Sequence, residues 1–108
     1  MTREEARQVI AKILSGEVAI FPTEDFYRDL ERQRYGMPDV RAILRAHTLE
    51  HAPEFSVEHR NFKVYLRGKC VTFGRPTCLI LGLREDGPNS YVTIFRIAEP
   101  RKEIPRRP

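Results

Sequence analysis

Apolar positions change their spacing about halfway along the chain. Ala6, Val9, Ile10, Ile13 and Leu14 follow the i, i+3, i+4, i+7, i+8 stripe of an amphipathic helix. Thr2 with Glu5 three residues on forms a capping-box pattern, and Gly16 suits the residue just past a helix end, so the spacing predicts a helix over 2–15. The apolar run Val18 to Phe21, closed by Pro22, predicts an edge strand or an extended segment on the core. Thr23-Glu24-Asp25 caps a second helix over about 24–34. Its first turn is acidic, its last turn carries Arg32 and Arg34, and Phe26, Tyr27 and Leu30 form its apolar side. Gly36 is expected to end it. Pro38 then opens a third helix over about 38–47, with Val40, Ile43, Leu44 and His47 as its buried stripe.

From Asn61 the period becomes two. Phe62, Val64 and Leu66 alternate with Lys63, Tyr65 and Arg67, the signature of a strand with one polar face. Gly68-Lys69 reads as a turn, and Cys70 to Phe73 as a second strand or a continuation of the first. Thr77 to Leu83 is almost wholly apolar, as a central strand covered on both faces would be. Asp86-Gly87-Pro88-Asn89 is a turn, and Tyr91 to Ile97 a last strand. The expected fold is α+β, with N-terminal helices packed on one face of a three- to four-stranded antiparallel sheet. It forms a single domain over 1–99, followed by a mobile basic Pro/Arg tail over 100–108.

Composition narrows the class. The 108 residues are 41% hydrophobic and 31% charged, which is ordinary for a soluble globular domain. No apolar run approaches the ~18 residues of a membrane span. The start, Met1 to Glu5, lacks the basic-then-apolar form of a signal peptide, so a cytoplasmic location is expected. The net charge of +4 is unevenly spread. Residues 1–59 hold eight basic and eleven acidic side chains, residues 60–99 seven and three, and residues 100–108 four and one. The helical half is therefore acidic, whereas the sheet and the tail are basic.

Phosphate-binding loops, G-x-G-x-x-G and H-E-x-x-H are all missing. Cys70 and Cys78, eight apart in predicted strands, read as core thiols, and no metal site is expected. His47, His51 and His59 titrate near neutrality when unperturbed and are candidates for proton transfer, or else ordinary surface or core residues. Alternation brings Lys63, Tyr65 and Arg67 into one row, with Arg60 and Lys69 beside it and Arg84 and Arg96 on later strands. Such a face can neutralise a phosphodiester and stack a base, and it is equally what a solvated sheet face requires.

The run Phe26-Tyr27-Arg28-Asp29-x-Glu31-Arg32-x-Arg34-x-Gly36-Met37-Pro38-Asp39-Val40-x-x-Ile43-Leu44 resembles the helical opening of the bacterial domain-of-unknown-function family numbered 4258. Pro53-Glu54, Phe62-Lys63-Val64-Tyr65-x-x-Gly68, Leu79 to Leu83 and Val92-Thr93-Ile94-Phe95 follow in the order typical of that family, so the likeness covers about 24–97. The family is similar to the RelE, ParE and BrnT toxins, small basic proteins with helices before an antiparallel sheet. The resemblance implies a metal-independent, cofactor-free endoribonuclease of a toxin–antitoxin pair, with RNA and an antitoxin protein as partners. In that reading Arg28, Arg32, Lys63, Tyr65, Arg67 and Thr93 form the catalytic group, Tyr65 or Lys63 moves a proton, and His59 or His51 is the alternative acid or base. Arg60, Lys69, Arg84 and Arg96 hold the nucleic acid. The family's helix histidine is replaced here by Phe26 or Tyr27. This motivates a second reading, a non-catalytic RNA- or protein-binding module of the same fold.

Overall fold

The computed structural model describes residues 1–46, 48–71, 74–86 and 89–99. The stripe of the first segment becomes α1 (Arg3–Leu14) and buries Ala6, Val9 and Ile10. Both halves of its capping box are formed. Thr2 Oγ1 accepts from the Glu5 N–H at 3.1 Å, and Glu5 Oε1 accepts from the Thr2 N–H at 2.9 Å. Gly16, with φ +81°, turns the chain away in the left-handed region. α2 (Glu24–Gln33) and α3 (Met37–Ala46) follow. The chain leaves α2 at Arg34, which adopts φ 60°, rather than at Gly36. Gly36 instead begins α3, its N–H donating to Asp39 Oδ2 at 2.8 Å. His47, expected in the stripe of α3, lies outside the described residues, as does the tail.

The strands are β1 (Ile20–Pro22), β2 (Glu54–Ser56), β3 (Asn61–Lys69), β4 (Pro76–Asp86) and β5 (Asn89–Ala98). They form one five-stranded sheet in the order β1-β5-β4-β3-β2. The fold is α+β as expected, but the sheet is larger than the expected three or four strands and is mixed. β1 pairs in parallel with β5, while every other pair is antiparallel. A three-residue strand carries no pattern that names its partner, and the parallel pairing needs most of the chain as its crossover. Gly68 and Lys69, read as a turn, continue β3. Cys70 and Val71 lie past its end rather than in a strand, and Thr72 and Phe73 fall outside the described residues.

Two faces result. Val64, Leu66, Leu79, Leu81, Leu83, Val92, Ile94 and Ile97 meet Ile10, Phe26, Val40 and Ile43 in the main core. A small second cluster of Cys78, Ile80 and Ala98, with Tyr65 and Phe95 against it, lies on the other, open face. Among the described residues no strand lies beside the edge of β5 beyond Ile94, and α2 serves in its place. Thr23 donates to the carbonyls of Ile94 and Phe95, Gln33 to that of Ile97, and Asp29 Oδ2 accepts from the Ile97 N–H. An unpaired edge is thereby closed by a helix.

Candidate nucleic-acid interface

The period of two in β3 places Asn61, Lys63, Tyr65 and Arg67 on the open face, because Val64 and Leu66 are fully buried on the other. In register with them, β4 brings Gly82 opposite Lys63, Ile80 opposite Tyr65 and Cys78 opposite Arg67. Thr93 of β5 stands opposite Gly82 and Phe21. Gly82 is the floor of this surface. A Cβ there would come within 2.6 Å of Phe95 Cε2 and closer still to Asn61 Nδ2, so only glycine lets both side chains lie across the sheet.

Phe95 is thus set beneath Lys63, whose Nζ is 5.5 Å from the ring centroid. His59 tilts onto the same phenyl ring at 5.0 Å, and His51 onto Tyr65, also at 5.0 Å. Lys63 is therefore flanked by two rings, each carrying an imidazole. His51 Nδ1 is 3.1 Å from the Ala52 carbonyl oxygen and 3.2 Å from Glu54 Oε1. Both neighbours can only accept, given an ionised Glu54, so Nδ1 holds the proton and donates. In the neutral ring Nε2 then carries the lone pair. This carboxylate-oriented imidazole is the arrangement a general base requires.

Arg67 is committed within the molecule: its Nη2 lies 3.1 Å from Glu50 Oε1. Burial, with Glu50 adding to it and Arg67 opposing, pushes the Cys78 thiol up to about 12. Such a thiol stays protonated and behaves as a small apolar residue; Cys70 is also buried and free of any disulfide.

The other expected site residues stand apart. Arg96 grips Asp29 with Nε to Oδ2 at 2.6 Å and Nη2 to Oδ1 at 2.9 Å, and Arg32 reaches Asp29 Oδ1 at 3.1 Å. Asp29 is 1% exposed, so these guanidinium groups serve the α2–β5 junction. Arg96 shares β5 with Thr93 and stands opposite Ile80, but its guanidinium is taken up by Asp29 rather than left to the open face. Arg28 pairs with Glu24 and Asp25 on its own helix and is largely exposed. Lys69 is exposed at the end of β3, and Arg60 and Arg84 are exposed near the opposite end of the sheet. The structure therefore groups Lys63, Tyr65, Arg67 and Thr93, and separates them from Arg28, Arg32 and Arg96.

Sequence reasoning missed three members of this surface. Phe95 lies across a strand from Lys63 and has no local signal. Gly82 had one, a glycine inside an apolar strand. Glu54 had another, its spacing of three from His51. Among the described residues, no group of three or more His, Cys, Asp or Glu is arranged to hold a metal ion, and no helix is long and apolar enough to cross a membrane. Compared with models of known families, with curated proteins and with solved structures, the chain matches none of them.

Proposed function

We propose that the protein binds single-stranded RNA on the open face of its sheet and cleaves it there by acid–base chemistry without a metal. The observation that carries this reading is the His51 ring, whose Nδ1 lies 3.1 Å from the Ala52 carbonyl oxygen and 3.2 Å from Glu54 Oε1, on the same face as Lys63. His51 Nε2 takes the proton of a ribose 2′-hydroxyl. The 2′-oxygen attacks the adjacent phosphorus, and the P–O5′ bond breaks to leave a 2′,3′-cyclic phosphate. His59, protonated, returns a proton to the departing 5′-oxygen. Lys63 faces the charge that grows on the non-bridging oxygens. Phe21 and Tyr91, exposed on the same face beside Thr93, offer rings for stacking bases. The likeness to toxin ribonucleases suggests the same substrate class, and an antitoxin-like protein as partner.

The test is incubation of the purified protein with an end-labelled RNA in the presence of EDTA. Cleavage with cyclic-phosphate ends is expected, lost about 100-fold or more in His51→Ala and Lys63→Ala, unchanged in Arg28→Ala, and absent when the RNA is replaced by DNA. Intact RNA sinks the catalytic reading, and RNA binding without cleavage assigns the face to recognition alone.

A further inference from the structure

A concavity of about 370 Å³ opens at the end of the sheet where β2, β3 and β4 meet the N-terminal turn of α1. Its volume falls in the range of small-molecule sites. Two phenyl rings form part of the wall. Phe55 and Phe62 meet edge to face at 5.2 Å, and Phe55 is 57% exposed, so one ring face is available. Arg60 and Arg84 supply two guanidinium groups, and neither makes an ion pair among the described residues. Two carboxylates are also present. Glu5 is engaged with the Thr2 backbone, whereas Glu85 has no hydrogen-bonded or ionic partner among the described residues.

These groups differ from those of the open face in chemistry as well as place. An exposed ring stacks any base, two free guanidinium groups hold a phosphate, and a free carboxylate accepts hydrogen bonds from an exocyclic amino group. Arg60 also holds φ 54°, a left-handed conformation that an L side chain adopts only against a steric cost. That turn sets its side chain at the pocket, immediately before β3. Asn61 lines the pocket and also lies over Gly82 on the open face, so the two surfaces share a residue.

We propose that this pocket is a nucleotide subsite. It stacks a base on Phe55, binds its phosphate through Arg60 and Arg84, and selects bases with an amino group through Glu85. It rests on the RNA reading only in assigning the bound nucleotide to the same strand that crosses Lys63. Adenine, cytosine and guanine offer Glu85 an exocyclic amino donor; uracil offers only its N3–H, flanked by two carbonyl oxygens that repel the carboxylate.

Calorimetric titration with AMP, CMP, GMP and UMP tests this, with the full chain and the variants Arg84→Ala, Phe55→Ala and Glu85→Gln. Wild type is expected to bind the three amino-bearing nucleotides about tenfold more tightly than UMP. Arg84→Ala and Phe55→Ala should each weaken all four about tenfold, and Glu85→Gln should erase the preference. Circular dichroism of each variant checks that the fold is kept, and Arg28→Ala is the unaffected control. Absence of binding at millimolar nucleotide overturns the proposal, as do equal affinities for UMP and AMP or unaltered affinity in both Arg84→Ala and Phe55→Ala. Nucleotide binding in a protein that leaves RNA intact sinks the ribonuclease reading and keeps the pocket. RNA cleavage without mononucleotide binding does the reverse.

Discussion

Replacing Asp29 by Asn tests how α2 is fastened to the sheet. The side chain is 1% exposed and accepts four hydrogen bonds. Oδ2 takes Arg96 Nε at 2.6 Å and the Ile97 N–H at 3.1 Å, while Oδ1 takes Arg96 Nη2 at 2.9 Å and Arg32 Nη2 at 3.1 Å. Asparagine has the same shape but one acceptor oxygen. Whichever way the amide is turned, its nitrogen faces two donors, and the charge that balanced Arg96 is gone. A hydrogen bond to a charged group contributes about 1.5–3 kcal/mol, and removing one member of a buried ion pair costs about 3–5 kcal/mol. The two figures describe overlapping interactions, so they are not summed, and because the Arg96 side chain left behind is 34% exposed, Asp29→Asn is expected to lose about 2–3 kcal/mol. That is a large part of the ~5–15 kcal/mol of a typical domain. Urea unfolding followed by circular dichroism measures it, the expected result being a lower midpoint with an unchanged slope. Arg32→Ala is the internal comparison. The Arg32 side chain is 57% exposed, so its loss should cost no more than about 1 kcal/mol. An Asp29→Asn protein within about 1 kcal/mol of wild type would refute the reasoning.

Gly82→Ala should cost about 1–3 kcal/mol, because Phe95 and Asn61 must both shift, and should also weaken RNA binding by moving the ring under Lys63; unfolding and filter-binding assays read the two effects. Thr2→Ala should cost about 1 kcal/mol at neutral pH by removing the cap. The Thr2 backbone N–H, and after it the Thr2 hydroxyl, hold the Glu5 carboxyl below its ordinary value, so this stabilisation is present above the usual carboxylate range and is lost as pH falls through the lowered value; the gap between wild type and Glu5→Gln, measured by thermal unfolding from pH 7 to 3, should narrow accordingly. Cys78, pushed up to about 12, should resist a thiol reagent at pH 8 until denaturant is added. Because its folded value is raised, the thiol's contribution to stability is intact below its ordinary value of 9 and declines as pH rises from there toward 12.

Much of the fold was legible because it is local. The stripe from Ala6 to Leu14 and the Thr2–Glu5 cap lie within a few residues of each other, and helical period together with capping fixes α1 almost to the residue. Alternation in β3 likewise assigned Lys63, Tyr65 and Arg67 to one face. What alternation lacks is strand order. Nothing in Ile20 to Pro22 indicates that β5, some seventy residues later, is its neighbour. The same distance explains the divided site. Arg96 and Arg32 look like free cations in a sequence, but Asp29 lies 67 residues from Arg96 and takes them both. The bulge in β5, between the partners of Ile80 and Leu81, further removes Arg96 from the regular alternation. His51 and Glu54 were close enough in sequence to be paired, yet only the folded backbone turns the imidazole onto Tyr65 and leaves Nε2 free.

The central claim is that the open face, and not the arginines of α2, meets RNA. Amide and imidazole chemical shifts of the labelled protein, followed during titration with an uncleavable 2′-methoxy oligonucleotide, test it most directly. Shifts concentrated at Lys63, Tyr65, Thr93, Phe95 and the rings of His51 and His59 are expected. Shifts confined to Arg28, Arg32 and the rest of α2, or no shifts at all, would contradict it.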